Sequence, residues 1–412
     1  MYATAPKTFR LHIGIFGRRN AGKSSILNAL TGQQTSIVSE IPGTTTDPVE
    51  KPMEFLPFGP VLFIDTAGID DVGALGEQRV ARTRQVVART DLAVIVADGE
   101  WTAFEEGLRA EFEQRKVPVI VAFNKTDLAT TPADTMKQLA ARCAAVVATS
   151  CATGQGIPEL RQALLQAAPE DFISRHGVIS DLVPPGKCAV LVIPVDKEAP
   201  KGRIIMPQVQ CMRDLLDHDA MCMVTKDREL RDALQKLKEP PVLVVTDSQA
   251  FARVAADTPL EVPLTSFSIL FARFQGDLAE MVRGAMTIDT LKPGDRVLVA
   301  EACTHHPIQE DIGTVKIPNW LKKHVGGDLR FEHLRGHDFP EDISPYKLVI
   351  HCGACMWNRR AMLSRILQCR NAGVPITNYG LTIAYSLGIF ERALGPFPAA
   401  REIFLRERKG VA

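Results

Sequence analysis

Gly17-Arg18-Arg19-Asn20-Ala21-Gly22-Lys23-Ser24 decides the fold of this chain. It follows the apolar run Leu11 to Phe16, which reads as a buried strand, and it opens Ser25 to Leu30, whose apolar spacing is helical. Strand, glycine-bounded loop and helix together fit G-x-x-x-x-G-K-[ST]. In that arrangement the glycines let backbone N–H groups curl around phosphate oxygens while the helix N-terminus adds its dipole. The lysine bridges the terminal phosphates and the serine ligates Mg²⁺. Gly17, Gly22, Lys23, Ser24 and Ser25 are therefore candidate phosphate-binding residues, with Ser24 on the metal.

Downstream, the other parts of a guanine-nucleotide site follow in order. Asp65-Thr66-Ala67-Gly68 ends the apolar run Val61 to Ile64, so Asp65 can hold the Mg²⁺ shell and the Gly68 N–H can meet the γ-phosphate. Asn124-Lys125-Thr126-Asp127 follows the run Val117 to Phe123, and Asp127 can accept two hydrogen bonds from guanine where adenine offers none. A site built for those donors rejects the analogue that lacks them. Ser150-Cys151-Ala152 follows Ala145 to Ala148 and would close over the base with backbone N–H groups. Between the first two motifs, Ile41-Pro42-Gly43-Thr44-Thr45-Thr46-Asp47 resembles switch I of the Era, Der and TrmE-like GTPases. That resemblance points to Thr45 as the switch threonine on Mg²⁺ and the γ-phosphate. Ile69 stands where signalling GTPases carry a water-orienting glutamine. In the TrmE-like subgroup a P-loop asparagine, here Asn20, helps hold a K⁺ that replaces an arginine finger; otherwise Asn20 would hydrogen-bond within its own loop. Lys23, Asn20, Thr45 and Gly68 are thus the candidate catalytic set.

Outward from this site the fold class is α/β. The alternation of β-branched runs with amphipathic stretches to about Ala168 predicts a parallel sheet flanked by helices. A cluster of breakers, Pro169, Gly177 and Val183-Pro184-Pro185-Gly186, marks a linker. A smaller α/β unit follows, with strands at Ala189 to Val195, Met221 to Thr225 and Val242 to Thr246 and helices at Pro207 to Leu216 and Arg228 to Leu237. One long amphipathic helix, Ser266 to Met286, leads to a third set, with strands at Arg296 to Ala300, Leu329 to Leu334 and Leu348 to His351, helices at Ile317 to His324 and Asn358 to Cys369, and a helical end from Leu381. The expected domains are 1–170 (P-loop GTPase), 187–265 (a small α/β unit) and 266–412 (a further α/β unit).

Composition bounds the function. The 412 residues carry 48 Lys+Arg against 48 Asp+Glu, with 46% apolar and 23% charged residues, which excludes a disordered chain and a dedicated polyanion binder. No nucleic-acid partner is expected. No apolar run approaches the roughly 18 residues of a membrane span, and Met1 to Arg10 shows no secretory core, so a cytoplasmic location is expected. Of nine cysteines, Cys143, Cys151, Cys188, Cys211 and Cys222 are scattered and read as core.

The remaining cysteines concentrate in the last third. Cys303-Thr304-His305 and His351-Cys352-Gly353-Ala354-Cys355 each lie at or just past a strand end, so parallel strands would bring three thiols to one carboxyl edge. The helix from Asn358 would favour an anionic ligand set there. Zinc would take Cys303, Cys352, Cys355 and His305 in a closed structural site. An iron-sulfur cluster would use the same thiolates and leave one iron exchangeable. Cys369 reads as packing, and His306, His324, His333 and His337 as surface or helix-end residues.

A P-loop GTPase joined to C-x-H and H-C-x-x-C, with residues 306 to 350 between the histidines, resembles the FeFe-hydrogenase maturation GTPases of the HydF family over the whole chain. The resemblance implies a homodimer through the middle unit and a 4Fe-4S cluster on Cys303, Cys352 and Cys355. His305 or His351 is the possible fourth ligand, and Glu301 is close enough in sequence to compete. It implies a scaffold that receives a diiron precursor made with the radical-SAM proteins HydE and HydG and passes it to apo-hydrogenase. Slow, potassium-stimulated GTP hydrolysis is expected alongside. The competing reading is a TrmE/Era-like GTPase of RNA modification or ribosome assembly with a zinc-binding accessory domain. Neutral charge and only 6% aromatic residues weigh against a large RNA surface.

Overall fold

Leu11–Phe16 forms the first strand, β1, and all six of its residues are buried. A strand apolar on both faces must be covered on both. In the computed structural model, which describes residues 9–32, 48–55, 59–66, 82–130, 133–169, 177–195, 204–302 and 311–410, β1 lies inside a six-stranded sheet. With β2 (Val49–Phe55), β3 (Gly59–Asp65), β4 (Leu92–Ala97), β5 (Val119–Phe123) and β6 (Ala145–Ala148), the order is β2-β3-β1-β4-β5-β6. Five strands are parallel. β2, absent from the sequence reading, runs antiparallel to β3 as an edge, a position that tolerates Pro52.

Helices α1 (Lys23–Thr31), α2 (Ala103–Gln114), α3 (Ala133–Ala140) and α4 (Ile157–Gln166) divide between the faces. Ile26 and Leu27 of α1 pack with Leu160 and Leu164 of α4 on Ile13 and Ile15. Leu108 and Phe112 of α2 and Leu139 of α3 pack on Phe16, Ile95 and Phe123. Because β1 has β3 on one side and β4 on the other, the strand order reverses at its carboxyl end. Such a reversal opens a crevice where ligands sit in α/β sheets.

The chain divides into two compact units, 1–175 and 176–412. The second contains two four-stranded sheets, each wholly parallel. β7 (Cys188–Val192), β8 (Met221–Thr225), β9 (Leu243–Thr246) and β10 (Leu264–Ser266) take the order β10-β9-β7-β8; β11 (Arg296–Glu301), β12 (Arg330–Arg335), β13 (Leu348–His351) and β14 (Ile376–Asn378) take the order β12-β11-β13-β14. The helices used below are α5 (Met206–Asp217), α6 (Leu230–Gln235), α7 (Phe251–Asp257), α8 (Phe267–Gln275), α9 (Leu278–Met286), α10 (Ile317–Val325), α11 (Arg359–Asn371) and α12 (Tyr379–Ser386). The expected helix from Arg228 is shorter, a 3₁₀ turn at Asp227–Glu229 followed by α6.

The expected long helix Ser266 to Met286 is two helices. Ser266 caps α8 by accepting the Ile269 N–H, and Asp277 caps α9 by accepting the Glu280 N–H at 3.1 Å. Gly276, a poor helix former, ends the first, and the Asp277 carboxylate starts the second. Nearly all of α8 is buried, as a helix packed on more than one side requires. It packs against α5 beside the first sheet and against α11 and α12 beside the second. Among the described residues no helix is long and apolar enough to cross a membrane.

Candidate functional site

The phosphate loop is shaped by positions where only small backbone-like residues fit. Gly17 has φ +144°, and a Cβ there would lie 2.2 Å from the Val96 carbonyl oxygen; Gly22 has φ +94°, and its Cβ would lie 2.1 Å from Asn124 Nδ2. Asn20, exposed, adopts φ 61°, a conformation asparagine tolerates better than most residues. These conformations hold the loop in a tight turn at the α1 N-terminus, a place where backbone N–H groups meet phosphate. Lys23, only 7% exposed, donates to the carbonyls of Gly17 at 3.0 Å and Arg18 at 2.8 Å. Ser24 Oγ donates to Asp65 Oδ2 at 2.6 Å. A hydroxyl and a carboxylate oxygen meeting beside the phosphate cradle are the donor set of a Mg²⁺ ion.

The base side closes on the same strand ends. Asn124 Nδ2 donates to the Ala21 carbonyl at 3.1 Å and Asn124 Oδ1 accepts the Cys151 N–H at 3.4 Å, tying the P-loop to the Ser150-Cys151-Ala152 loop. Ser150 Oγ donates to Asp127 Oδ1 at 2.6 Å, which orients the carboxylate expected to read guanine. Lys125, at φ 61°, approaches Asp98 at 3.6 Å. Sequence reasoning missed Arg18, whose Nε donates to the fully buried Glu105 at 2.7 Å. Glu105 also closes the capping box of α2 with Thr102. Thr45, Gly68 and Ile69 lie outside the described residues.

The cysteine site forms at the corresponding reversal of the last sheet, where β11 has β12 on one side and β13 on the other. β11 and β13 are parallel with Ala300 opposite His351, so both chains leave the sheet at one edge. Beyond it the Cys352 N–H donates to the Ala300 carbonyl at 2.9 Å, and Ala302 N–H donates to Cys352 Sγ at 3.1 Å. Ala354 at φ 52° turns the chain between Cys352 and Cys355. Trp357 N–H closes that turn on the Ala354 carbonyl, and Asn358 caps α11 by accepting the Ala361 N–H. Cys352 and Cys355 are both half-buried. Cys355 and Gly353 open onto a cavity of about 140 Å³ whose other walls include Phe271 and Tyr379, with Ser248 and Gln249 from beyond β9.

Two of the candidate fourth ligands are already engaged. His351 is fully buried; its Nδ1 lies 2.9 Å from the Cys352 carbonyl and its Nε2 lies 2.8 Å from Arg365 Nη1. A guanidinium only donates, so Nε2 is the acceptor and the proton sits on Nδ1. Burial, reinforced by the Arg365 charge, lowers the His351 pKa to about 3. Both ring nitrogens thus have partners within the protein. Glu301 Oε1 accepts the Tyr379 hydroxyl at 2.9 Å and Oε2 accepts Arg335 Nε at 3.0 Å. Cys369 is fully buried, with its thiol pushed up to about 12 by desolvation. Of the scattered cysteines only Cys211 is fully buried; Cys143, Cys151, Cys188 and Cys222 are partly exposed.

Cys303, His305 and His306 lie outside the described residues, and among those described no three His, Cys, Asp or Glu side chains converge on a metal position. The residues present fit a thiolate-held cluster in chemistry: one sulfur accepting a backbone N–H, a second facing a cavity, and a buried cation behind them. Arg365 and the walls contributed from beyond β9 had no local signal in the sequence.

Comparison with known proteins divides along the same lines. Residues 178–276 match the model described as the hydrogen maturase F dimerization domain, and residues 279–396 match its tetramerization domain. Residues 12–125 match the 50S ribosome-binding GTPase model. The tRNA modification GTPase MnmE of Synechococcus sp. (strain JA-3-3Ab) is 43% identical over 163 residues, covering 37% of this chain and 33% of that protein. GTPase Der of Wolinella succinogenes is 40% identical over 129 residues, covering 30% and 27%. The chain thus spans about a third or less of the length of these curated relatives. Among solved structures, the G domain of the T. maritima FeoB iron transporter aligns with TM-score 0.29 at 26% identity, covering 38% of this chain and 98% of that one. Aquifex aeolicus Era aligns with TM-score 0.35 at 20% identity, covering 60% and 99%.

Proposed function

The chain belongs to the hydrogen maturase F family, whose two domain models together match over half of it, and on that premise we propose that it is a GTP-hydrolysing scaffold for the diiron precursor of FeFe-hydrogenase. The observation that carries the reading is the pairing of Cys352 and Cys355 at the β11/β13 edge, one sulfur held by Ala302 N–H and the other opening onto a cavity. Cys303, Cys352 and Cys355 would hold a 4Fe-4S cluster, which supplies an iron with an exchangeable ligand position. With His351 and Glu301 engaged elsewhere, His305 or an external ligand is left for that position. Cys355, Gly353 and Tyr379 would face the cargo supplied by HydE and HydG before its transfer to apo-hydrogenase.

In the first unit, Gly17, Gly22, Lys23, Ser24 and Ser25 would hold GTP, with Gly68 on the γ-phosphate and Asp127, Asn124, Lys125, Ser150, Cys151 and Ala152 around guanine. Ser24, Thr45 and Asp65 would hold Mg²⁺. Asn20 would hold K⁺, as its match to the TrmE-like P-loop implies, so slow hydrolysis faster in K⁺ than in Na⁺ is expected; equal rates would remove that role. The middle unit would form the homodimer through β8, an edge strand with Met221 55% and Val224 45% exposed. The MnmE and Der relatives cover only 37% and 30% of the chain, so the RNA-modification alternative draws no support from them for the rest of it.

The test is activation of apo-hydrogenase by the full chain loaded with precursor. Cys303→Ser, Cys352→Ser and Cys355→Ser are each expected to abolish activation. Stoichiometric zinc in the protein, with activation surviving in the three variants, would transfer the assignment to the accessory-domain alternative.

A further inference from the structure

Arg365, midway along α11, is buried to 5% exposure, and none of its hydrogen bonds to the described residues reaches a carboxylate. Its Nη1 donates to His351 Nε2 at 2.8 Å, and its Nη2 donates to the carbonyls of Gly336 at 2.9 Å and Asp338 at 3.1 Å. The guanidinium lies between two rings, 4.2 Å from the centre of Trp357 and 4.5 Å from that of Phe339. His337 stacks on Trp357 at 4.9 Å. Burial lowers the Arg365 pKa to about 10, which still leaves it charged at neutral pH.

A buried cation without a paired anion is strongly disfavoured. Carbonyl dipoles and ring faces offset part of that cost, and they leave a full positive charge to be balanced. Among the described residues, the acidic groups whose charge bears on Arg365 are Cys352, Cys369 and Asp338. Asp338 is exposed, so water screens it, and Cys369 stays a neutral thiol. Cys352 remains, and as an iron-bound thiolate it would be part of an anionic cluster.

We propose that Arg365 is a positioning residue for the cysteine site, a fixed positive charge that locks His351 in its Nδ1–H tautomer and balances the negative charge of a cluster held by Cys352. The proposal rests on the reading that Cys352 holds such a cluster. Through His351 the guanidinium fixes the Cys352 carbonyl, and with it the start of the turn that carries both thiols. Through its charge it favours the reduced cluster, which carries one more electron than the oxidised form, and so raises the reduction potential.

The experiment is an EPR-monitored redox titration of the full chain, reconstituted anaerobically with iron and sulfide, for wild type, Arg365→Gln and Arg365→Lys, with iron content measured in each. Arg365→Gln is expected to make the cluster harder to reduce, with at least a tenfold fall in the reduced-to-oxidised ratio at fixed potential, a shift of about 59 mV for a one-electron couple. Arg365→Lys, which keeps the charge and loses the planar fork, is expected to stay near the wild-type midpoint. A wild-type midpoint in Arg365→Gln at full iron content overturns the proposal, and so does an equal shift in both variants, which would mean packing alone. If Arg365→Gln does not fold or takes up no iron, Arg365→Lys decides: a wild-type midpoint supports the charge role, and a shifted one overturns it. Wild-type protein that binds zinc and shows no cluster signal is the separate failure of the cluster reading itself.

Discussion

The P-loop edge and the cysteine edge occupy equivalent places, each at the strand-order reversal of a parallel sheet, yet they are built from different materials. At the first, backbone forms the cradle: Gly17 and Gly22 leave no room for a Cβ, and the loop is one continuous segment. At the second, side chains from distant segments meet: Glu301, His351, Arg365 and Tyr379 surround two cysteines. A phosphate is met by many N–H groups at once, which a contiguous loop supplies. A metal cluster needs a few soft ligands and a tuned charge environment, which a sheet edge assembles from separate strands. On the proposed reading one topological device serves two chemistries, and the segment leaving the strand end selects between them.

Four substitutions bear on that contrast. Lys23→Ala should lower GTP hydrolysis by on the order of 10²–10³, as loss of a charge-stabilising donor does, while melting and iron content of the full chain stay as in wild type. Loss of iron in that variant would show that the two edges depend on each other. Conversely, Cys352→Ser and Cys355→Ser should lose the bound iron, and Cys369→Ser should keep it. Hydrolysis in all three should stay within about twofold, because the P-loop and these cysteines fall in different compact units.

Glycine tests the materials directly. Gly17→Ala should destabilise the first unit by roughly 1–3 kcal/mol, since both a positive φ and the Val96 carbonyl oppose the new methyl group. Gly353→Ala at the other edge should change stability by less than about 0.5 kcal/mol, because the nearest atom to its Cβ would be Ser268 Oγ at 3.7 Å. Thermal melting of the full chain reads both, and equal losses would erase the contrast.

The smallest effect concerns charge. In the first unit Glu106 is paired, and its hydrogen bond from Arg109, helped by Trp101 and Arg142, lowers its pKa to about 2. A carboxyl depressed in the folded state contributes stability above its ordinary pKa and loses it as pH falls toward 2. Acid titration of Glu106→Gln should therefore show less stability than wild type at pH 7 and a difference that closes between about pH 4.5 and 2. A pH-independent difference would assign Glu106 to packing.

The first edge is legible in the sequence because its parts are contiguous and motif-like, with each turn residue dictated by a local need. β2 is not: although it pairs with the neighbouring β3, Glu50, Lys51, Pro52 and Glu54 leave Val49–Phe55 without an apolar strand period. The Gly276-Asp277 break carries a visible signal, a poor helix former ahead of a capping residue, but apolar periodicity continues on both sides and masks it. β10 and β14, three residues each, are too short for a period. At the cysteine edge the ligand spacing is readable, whereas Arg365 is one arginine among several on its helix. Its partners, at 336, 338, 351 and 357, meet it only in the folded sheet.

The central claim is that the β11/β13 edge holds a thiolate-ligated iron-sulfur cluster, and it is tested most directly by the anaerobic EPR and optical spectra of the purified, reconstituted full chain together with its metal content. The account predicts a reducible cluster signal that Cys352→Ser removes and Cys369→Ser leaves in place. A spectroscopically silent protein carrying one zinc per chain would contradict it.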